Sequence, residues 1–286
     1  MASAATCSPH RRDWTELSTR AAIAMVAAAL AVQPALWLAG TWTHPSFDSV
    51  GVWVFVAVVA LAVWSLRSGP ASGSGGRALP FALLGVTAII RLVGNLLAID
   101  VVGAVALALD VYAVAALLAL DRRPRAVSSG WLAVLFAFAL PIERILQRVA
   151  GFPLQLISAR GACGVLRLTH DDVRCDGIRL ALDGSDVLVD LPCAGTQGLF
   201  FVACVFVALA ALRRPSWRGA LAGVAVALCA GLGANTLRIA ALTAGIASGG
   251  AASASFVEGA AHQATGLLAL ALALVPVVVW SNLVAS

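Results

Sequence analysis

Long apolar runs recur along this chain and are separated by short segments that carry much of its charge. Residues 21–39 contain no charged side chain, and runs of similar character continue almost to the end of the sequence. A helix of about 20 such residues crosses a ~30 Å hydrocarbon core, where every backbone polar group needs an internal hydrogen bond. These runs therefore restrict the chain to an all-α polytopic membrane protein.

The composition agrees with this class. Of the 286 residues, 61% are hydrophobic and 12% are charged, whereas soluble domains are about 25% charged. All basic residues are Arg, a usage that also arises in GC-rich genomes, so the net charge of +5 gives no indication of a nucleic-acid partner. We interpret residues 1–286 as a single integral membrane domain in contact with the lipid bilayer.

About eight transmembrane helices are predicted, with a polar segment before the sixth. The predicted spans cover residues 21–39, 50–66, 79–99, 101–120, 131–148, 198–212, 220–247 and 259–280. Residues 151–195 turn polar between the fifth and sixth spans. Alternating patterns on both sides of Asp183-Gly184-Ser185 predict a short β-hairpin within this segment.

Arginine in the short loops predicts the orientation of these helices. One side of the membrane receives Arg11, Arg12, Arg20, Arg67, Arg77, Arg122, Arg123, Arg125, Arg213, Arg214 and Arg218. The opposite short loops, 41–49, 98–101 and 248–258, contain no Arg. Because basic loops are retained in the cytoplasm, we predict a multi-pass membrane protein whose Arg-rich side is cytoplasmic. Both termini would be cytoplasmic, and residues 151–195 would be extracytoplasmic.

The cysteines show no metal-binding pattern. The sequence has six cysteines without a CxxC pair or a Cys/His ligand spacing, and we predict no metal or other cofactor. Cys163 and Cys175 both lie in the segment predicted to face an oxidising compartment, where a disulfide persists. The sequence leaves their pairing open.

Three reactive side chains fall near the same membrane face on three successive predicted spans. Cys193 lies just before the outer end of span six, and His262 lies in the first turn of span eight. Arg238 lies roughly two turns before the outer end of span seven, at a helical rise of ~1.5 Å per residue. Asn235, three residues earlier, shares the helix face of Arg238. This convergence predicts an extracytoplasmic site with a cysteine nucleophile.

Each of these residues taken alone has a structural alternative. Cys193 could be a small packing residue, Arg238 could reach the outer surface with its long side chain, and His262 could cap its helix. However, an Arg inside an apolar run costs about 2.5–3.5 kcal/mol on insertion scales and is normally retained for a partner or a cavity. A purely structural explanation would require all three residues to lie near the same membrane face by coincidence, so the catalytic interpretation is favoured.

Taken in order, these residues resemble the exosortase/archaeosortase family of membrane cysteine transpeptidases. The resemblance covers about residues 131–270 and rests on Cys193-Ala194-Gly195, Asn235-Thr236-Leu237-Arg238-Ile239, His262 followed by Gly266, and upstream Pro141 and Pro153-Leu154-Gln155. The family often has Ser at the position of Ala194. This departure bears on the subfamily more than on the chemistry.

The resemblance implies an enzyme that recognises a C-terminal sorting signal on exported proteins. Such a signal consists of a short Pro-Glu-Pro-like motif (PEP-CTERM), a transmembrane helix and an Arg-rich tail. The resemblance also implies that Cys193 is the nucleophile, that Arg238 and His262 are its catalytic partners and that Asn235 supports them. After cleavage, the protein would pass from a thioester on the enzyme to an acceptor.

General chemistry agrees with these roles. Neighbouring cations lower the pKa of a thiol from about 8.5 by stabilising the thiolate. A guanidinium such as that of Arg238 is always charged and presents several donors, which suits an oxyanion. A histidine such as His262 titrates near neutral pH, which suits protonation of a leaving amine and later activation of the acceptor.

Polar residues elsewhere in the spans have other interpretations. Arg91 and Asn95 in span three and Asp110 in span four are predicted to form a buried ion pair across a helical hairpin. Glu143, Arg144 and Arg148 near the predicted outer end of span five would form either a charged rim of a substrate groove or a solvated helix end.

A non-enzymatic function is the competing hypothesis. The chain would then be a membrane transporter or a scaffold component of an export or assembly system, with Arg238 and Asp110 contacting substrate or ions. A transporter typically has a polar path with broken helices near mid-depth. The reactive residues gather instead towards one face, which favours chemistry at the membrane surface.

Overall fold

The computed structural model describes residues 9–44, 50–73, 76–189, 195–249 and 260–285, with the backbone alone at 9–17, 249, 260–262 and 285. Cys193 therefore lies outside the described residues, and His262 is described by its backbone only. The chain divides into two compact units, Met1–Leu140 and Pro141–Ser286.

In the part of the first unit that the structure describes, there are five α-helices and one short 3-10 turn. The helices are α1 (Pro9–Thr43), α2 (Gly51–Leu66), α3 (Ala78–Leu96), α4 (Asp100–Leu117) and α5 (Ser129–Ala137), with the 3-10 turn at Leu120–Arg122. Helices α3 and α4 follow each other closely, as the sequence predicted. Helix α1 crosses closely over α4, since a Cβ added at Gly103 would lie 2.6 Å from Cγ of Pro34.

The predicted ion pair between Arg91 and Asp110 is confirmed. It links α3 to α4, and the Arg91 side chain is fully buried. The hydroxyl of Thr87 donates to the Asp110 carboxylate at 2.5 Å, and the Arg91 guanidinium donates to the carbonyl of Ala27 in α1 at 3.0 Å. This polar cluster therefore connects three helices of the first unit.

Over residues 141–189, 195–249 and 260–285, the second unit contains four α-helices and a three-stranded antiparallel sheet. Its elements in chain order are α6 (Ile142–Leu166), β1 (Val173–Asp176), β2 (Arg179–Leu182), β3 (Ser185–Leu188), α7 (Thr196–Arg213), α8 (Trp217–Gly249) and α9 (Ala260–Ala285). The predicted hairpin is present as β2 and β3. Its turn residues Asp183 and Gly184 both have positive φ, as a tight two-residue hairpin turn requires. Strand β1, which the sequence interpretation missed, pairs with β2.

One face of the sheet is apolar and packs on the helices. Leu180 and Leu182 are fully buried and belong to a core that also contains Ala159 of α6 and Ile239 of α8. The alternation of side chains along a strand puts Arg174 and Asp186 on the opposite, exposed face. The sheet therefore rests against α6 and α8 through its apolar face.

The structure corrects the boundaries predicted around the fifth span. Instead of one helix over 131–148 followed by a polar segment from 151, α5 ends at Ala137 and α6 continues to Leu166. Gly151, where the polar segment was predicted to begin, and Pro153 lie inside α6. Glycine in this helix permits close packing, since a Cβ at Gly161 would lie 2.8 Å from Thr236 of α8. Gly161 of α6 therefore faces α8.

The predicted class of an all-α polytopic membrane protein is confirmed. Among the described residues, seven helical segments are long and apolar enough to cross a membrane: Ser18–Thr43, Ala78–Leu96, Asp100–Arg122, Ile142–Leu166, Thr196–Arg213, Trp217–Ser248 and Gln263–Val284. Helix α2 is also apolar but has 16 residues, or about 24 Å at 1.5 Å per residue. The chain is a multi-pass membrane protein.

Candidate active site

A disulfide joins the end of α6 to the sheet. Cys163 in α6 and Cys175 in β1 are bonded, with their Cα atoms 6.3 Å apart. The pairing that the sequence left open is therefore present in the structure. It fixes β1 to the same helix that carries the polar residues described next.

Gly195 begins α7 and makes a close contact with Asn235 of α8. Its φ of +79° lies in the left-handed region, where glycine has no steric cost. A Cβ at this position would lie 2.5 Å from Cγ of Asn235. Glycine is therefore required both by the backbone conformation and by the contact. Gly195 stands two residues after Cys193, so this contact fixes the chain immediately beyond the predicted nucleophile.

Asn235 belongs to a buried polar network with α6. Its Nδ2 donates to Oγ of Ser158 at 3.0 Å, and both residues are buried. One turn earlier in α6, Nε2 of Gln155 donates to the carbonyl of Val189 at 3.1 Å. Val189 in turn donates its N–H to Ile178 at 3.0 Å, which extends the pairing of β2 with β3.

The sequence interpretation did not assign roles to all of this network. Asn235 was predicted as a supporting residue, and its place beside Gly195 agrees with that prediction. Gln155 was named only as part of the family resemblance, without a role, and Ser158 was not named. Their spacing of three residues on a partly apolar helix was the signal that could have found them, because polar residues so spaced share a face.

Arg238 lies one turn beyond Asn235 in α8 and packs against Gly266 of α9. A Cβ at Gly266 would lie 3.6 Å from Cζ and 3.7 Å from Nε of Arg238, so the guanidinium passes directly over the glycine. Arg238 itself is partly buried. His262 stands four residues before Gly266, in the first turn of α9. The contact therefore places Arg238 about one helical turn from the backbone of His262 along α9.

These contacts connect the elements that carry the predicted site. Gly195 at the start of α7 meets Asn235, Asn235 shares a helix face with Arg238, and Arg238 meets Gly266 of α9. The thiol of Cys193 and the imidazole of His262 lie outside what the structure describes, so their catalytic roles remain predictions. Within the described parts of the chain, no group of three or more His, Cys, Asp or Glu side chains is arranged to hold a metal ion.

Glu143 and Arg144, predicted either as a charged rim or as a solvated helix end, lie at the beginning of a helix and not at the end of one. Glu143 and Arg144 lie in the first turn of α6, which begins at Ile142. Gln155 lies twelve residues further along, or about 18 Å at 1.5 Å per residue. The charged residues at the beginning of α6 are therefore not adjacent to the network around Asn235.

The fold and these contacts define a multi-pass α-helical membrane protein with a small sheet and a buried polar network where α6, α7 and α8 meet. Residues 42–279 match the family described as transmembrane exosortase. The chain belongs to this family, whose members are generally membrane cysteine transpeptidases. Comparison with curated proteins and with solved structures gave no significant match. Family membership further implies substrates that carry C-terminal sorting signals.

Proposed function

We propose that this exosortase cleaves the C-terminal PEP-CTERM-type sorting signal of exported proteins and transfers them to an acceptor through a thioester on Cys193. The main support for this proposal is a series of contacts that runs from Gly195 through Asn235 and Arg238 to Gly266. It joins the start of α7, which follows Cys193 in the chain, to α8, which carries Arg238, and to α9, which carries His262.

The reaction follows from the chemistry of these side chains. The thiolate of Cys193 attacks the carbonyl carbon of the scissile peptide, and the resulting oxyanion is stabilised by the guanidinium of Arg238. His262 in its protonated form then donates a proton to the departing amine as the C–N bond breaks. The exported protein remains on sulfur as a thioester. Neutral His262 next accepts a proton from the acceptor nucleophile, which attacks the thioester and releases the Cys193 thiolate, so that the protonated His262 and the thiolate of the starting state are restored.

Two features support an extracytoplasmic location for this site. The disulfide between Cys163 and Cys175 is typical of an oxidising compartment. Helix α7 begins beside the network at Thr196 and ends at Arg213, a length of 18 residues, or about 27 Å. Arg213 and Arg214, at the opposite end of α7, would then lie at the cytoplasmic face. This orientation corresponds to a protein of the bacterial inner membrane with both termini in the cytoplasm.

The competing transporter hypothesis has one supporting observation. Helix α5 contains nine residues and ends before α6 begins, so it is a short helix of the kind found in transporters with broken spans. A transporter or scaffold would leave its protein substrates uncleaved. Cleavage of a sorting signal therefore separates the two hypotheses.

The test is processing of a co-expressed substrate that carries a sorting signal, followed by immunoblotting. Cys193→Ala should abolish processing without changing the amount of enzyme in the membrane. Cys229→Ala is the matched control, because Cys229 is an exposed free thiol of α8 outside the proposed site. Wild-type processing by the Cys193→Ala variant would contradict the proposed mechanism.

A further inference from the structure

Two buried polar side chains of α6 hold the described chain on both sides of the segment that contains Cys193. Gln155 and Ser158 are 4% and 0% exposed and share a helix face. Gln155 binds the carbonyl of Val189, which precedes the segment, at 3.1 Å. Ser158 binds Asn235 at 3.0 Å, and Asn235 packs against Gly195, which follows the segment.

These polar side chains are poorly suited to simple packing. A buried amide or hydroxyl loses its hydration and is tolerated only with a hydrogen-bond partner. Val189 is 2% exposed, and a buried carbonyl left without a donor costs about 1–3 kcal/mol. The hydrogen bond from Gln155 is directional and therefore sets the position of Val189. An apolar side chain would fill the same space without setting that position.

We infer that Gln155 and Ser158 are positioning residues for the transpeptidase reaction. They hold Val189 and, through Asn235, Gly195, the described residues on either side of the segment that contains Cys193, and they act on the reaction through that cysteine. The inference rests on the proposed function, since it takes Cys193 as the nucleophile. Neither side chain needs to touch the substrate in order to act in this way.

The expected signature is a change in the reactivity of Cys193. Catalysis depends steeply on the approach of the reacting atoms, and a displacement of about 1 Å can cost about a hundredfold in rate. A thiolate close to Arg238 is stabilised, and so its thiol has a pKa below the usual value of about 8.5. When the thiol moves away, its pKa rises towards that value, and less thiolate is present at neutral pH.

The experiment uses the full-length enzyme in membrane vesicles and the variants Gln155→Met and Ser158→Ala, neither of which adds appreciable volume. Alkylation of Cys193 by iodoacetamide is followed against pH by mass spectrometry of the Cys193 peptide. Turnover of a sorting-signal substrate gives kcat and KM. Each variant should lower kcat about tenfold to a hundredfold, change KM little and move the alkylation midpoint to higher pH.

Two matched variants control for the loss of a buried hydrogen bond in the same unit. Ser281→Ala removes a buried hydroxyl that donates to Val278 at 2.8 Å, and Thr243→Val removes one that donates to Ile239 at 2.9 Å. Both should keep the wild-type alkylation profile. A Gln155 or Ser158 variant whose profile matches that of these controls would overturn the positioning role, whatever its thermal stability.

The same experiment separates this inference from the proposed function. If the Cys193→Ala variant still processes substrate, the proposed function fails and the positioning role fails with it. If that variant is inactive while Gln155→Met and Ser158→Ala keep normal kcat and normal alkylation, the positioning role alone fails.

Discussion

Gly195 lies so close to Asn235 that any side chain added to the glycine would overlap the asparagine. The added Cβ would be 2.5 Å from Cγ and 2.6 Å from Nδ2 of Asn235. The contact joins the start of α7 to α8 two residues beyond Cys193. It is the described contact nearest in sequence to the predicted nucleophile.

Replacing Gly195 by alanine should therefore reduce processing of a sorting-signal substrate at least tenfold. The substitution forces a residue with a Cβ into a left-handed conformation, which costs about 1–2 kcal/mol, and it displaces Asn235. Gly198→Ala is the control, because a Cβ at Gly198 meets no atom within 4 Å. Equal processing by the two variants would show that the contact is unimportant.

Arg238→Lys should lower the rate of processing about a hundredfold while leaving the amount of enzyme in the membrane unchanged. Lysine keeps the charge but lacks the planar, multiply donating guanidinium that suits an oxyanion, and removal of one such donor typically costs 10²–10³ in kcat. The measurement is initial rate at saturating substrate. Gly266→Ala should be tolerated, because its Cβ would meet the guanidinium at an ordinary contact distance of 3.6 Å. A fully active Arg238→Lys variant would remove the oxyanion role.

The ion pair between Arg91 and Asp110 should matter for stability and not for catalysis. Arg91→Met leaves a buried carboxylate without its charged partner, which we expect to cost about 3–5 kcal/mol. The double variant Arg91→Met/Asp110→Leu removes both charges and should recover most of that loss. Thermal unfolding in detergent measures the stabilities, and substrate processing should be near normal in the double variant. A stable but inactive double variant would instead indicate a functional role for the pair.

The disulfide should stabilise the contact between the sheet and α6. Reduction, or the double variant Cys163→Ser/Cys175→Ser, should lower the free energy of unfolding by about 2–4 kcal/mol. The measurement is thermal unfolding with and without dithiothreitol. Reductant should lower the midpoint of the wild type and should not affect the double variant. An identical midpoint in both conditions for the wild type would show that the bond does not contribute.

The sequence was informative where a single physical requirement dominates. Uncharged runs such as residues 21–39 and the turn at Asp183-Gly184 were correctly assigned, because lipid and tight hairpins each tolerate few alternatives. Asp110 was correctly paired with Arg91, since a charge buried among helices needs a partner.

The sequence was misleading where the same residue types occur both in loops and inside packed helices. A polar segment was predicted from residue 151, but α6 continues through Gly151 and Pro153 and packs against α8. The spacing of Ser158 from Gln155 was a weak signal, because a serine in a helix is equally suited to an exposed position. Its importance depends on Asn235, which is 77 residues distant in the chain. Contacts of this kind are set by the packing of helices, and local patterns do not encode them.

The central claim is that Cys193 carries the exported protein as a thioester. Purified enzyme should be incubated with a sorting-signal substrate in the absence of acceptor, and the peptide that contains Cys193 should be examined by mass spectrometry. The account predicts an adduct whose added mass equals that of the N-terminal cleavage fragment less one water and which hydroxylamine releases, with no such adduct in the Cys193→Ala variant. Cleaved substrate accompanied by an unmodified Cys193, or by an adduct on another residue, would contradict the account.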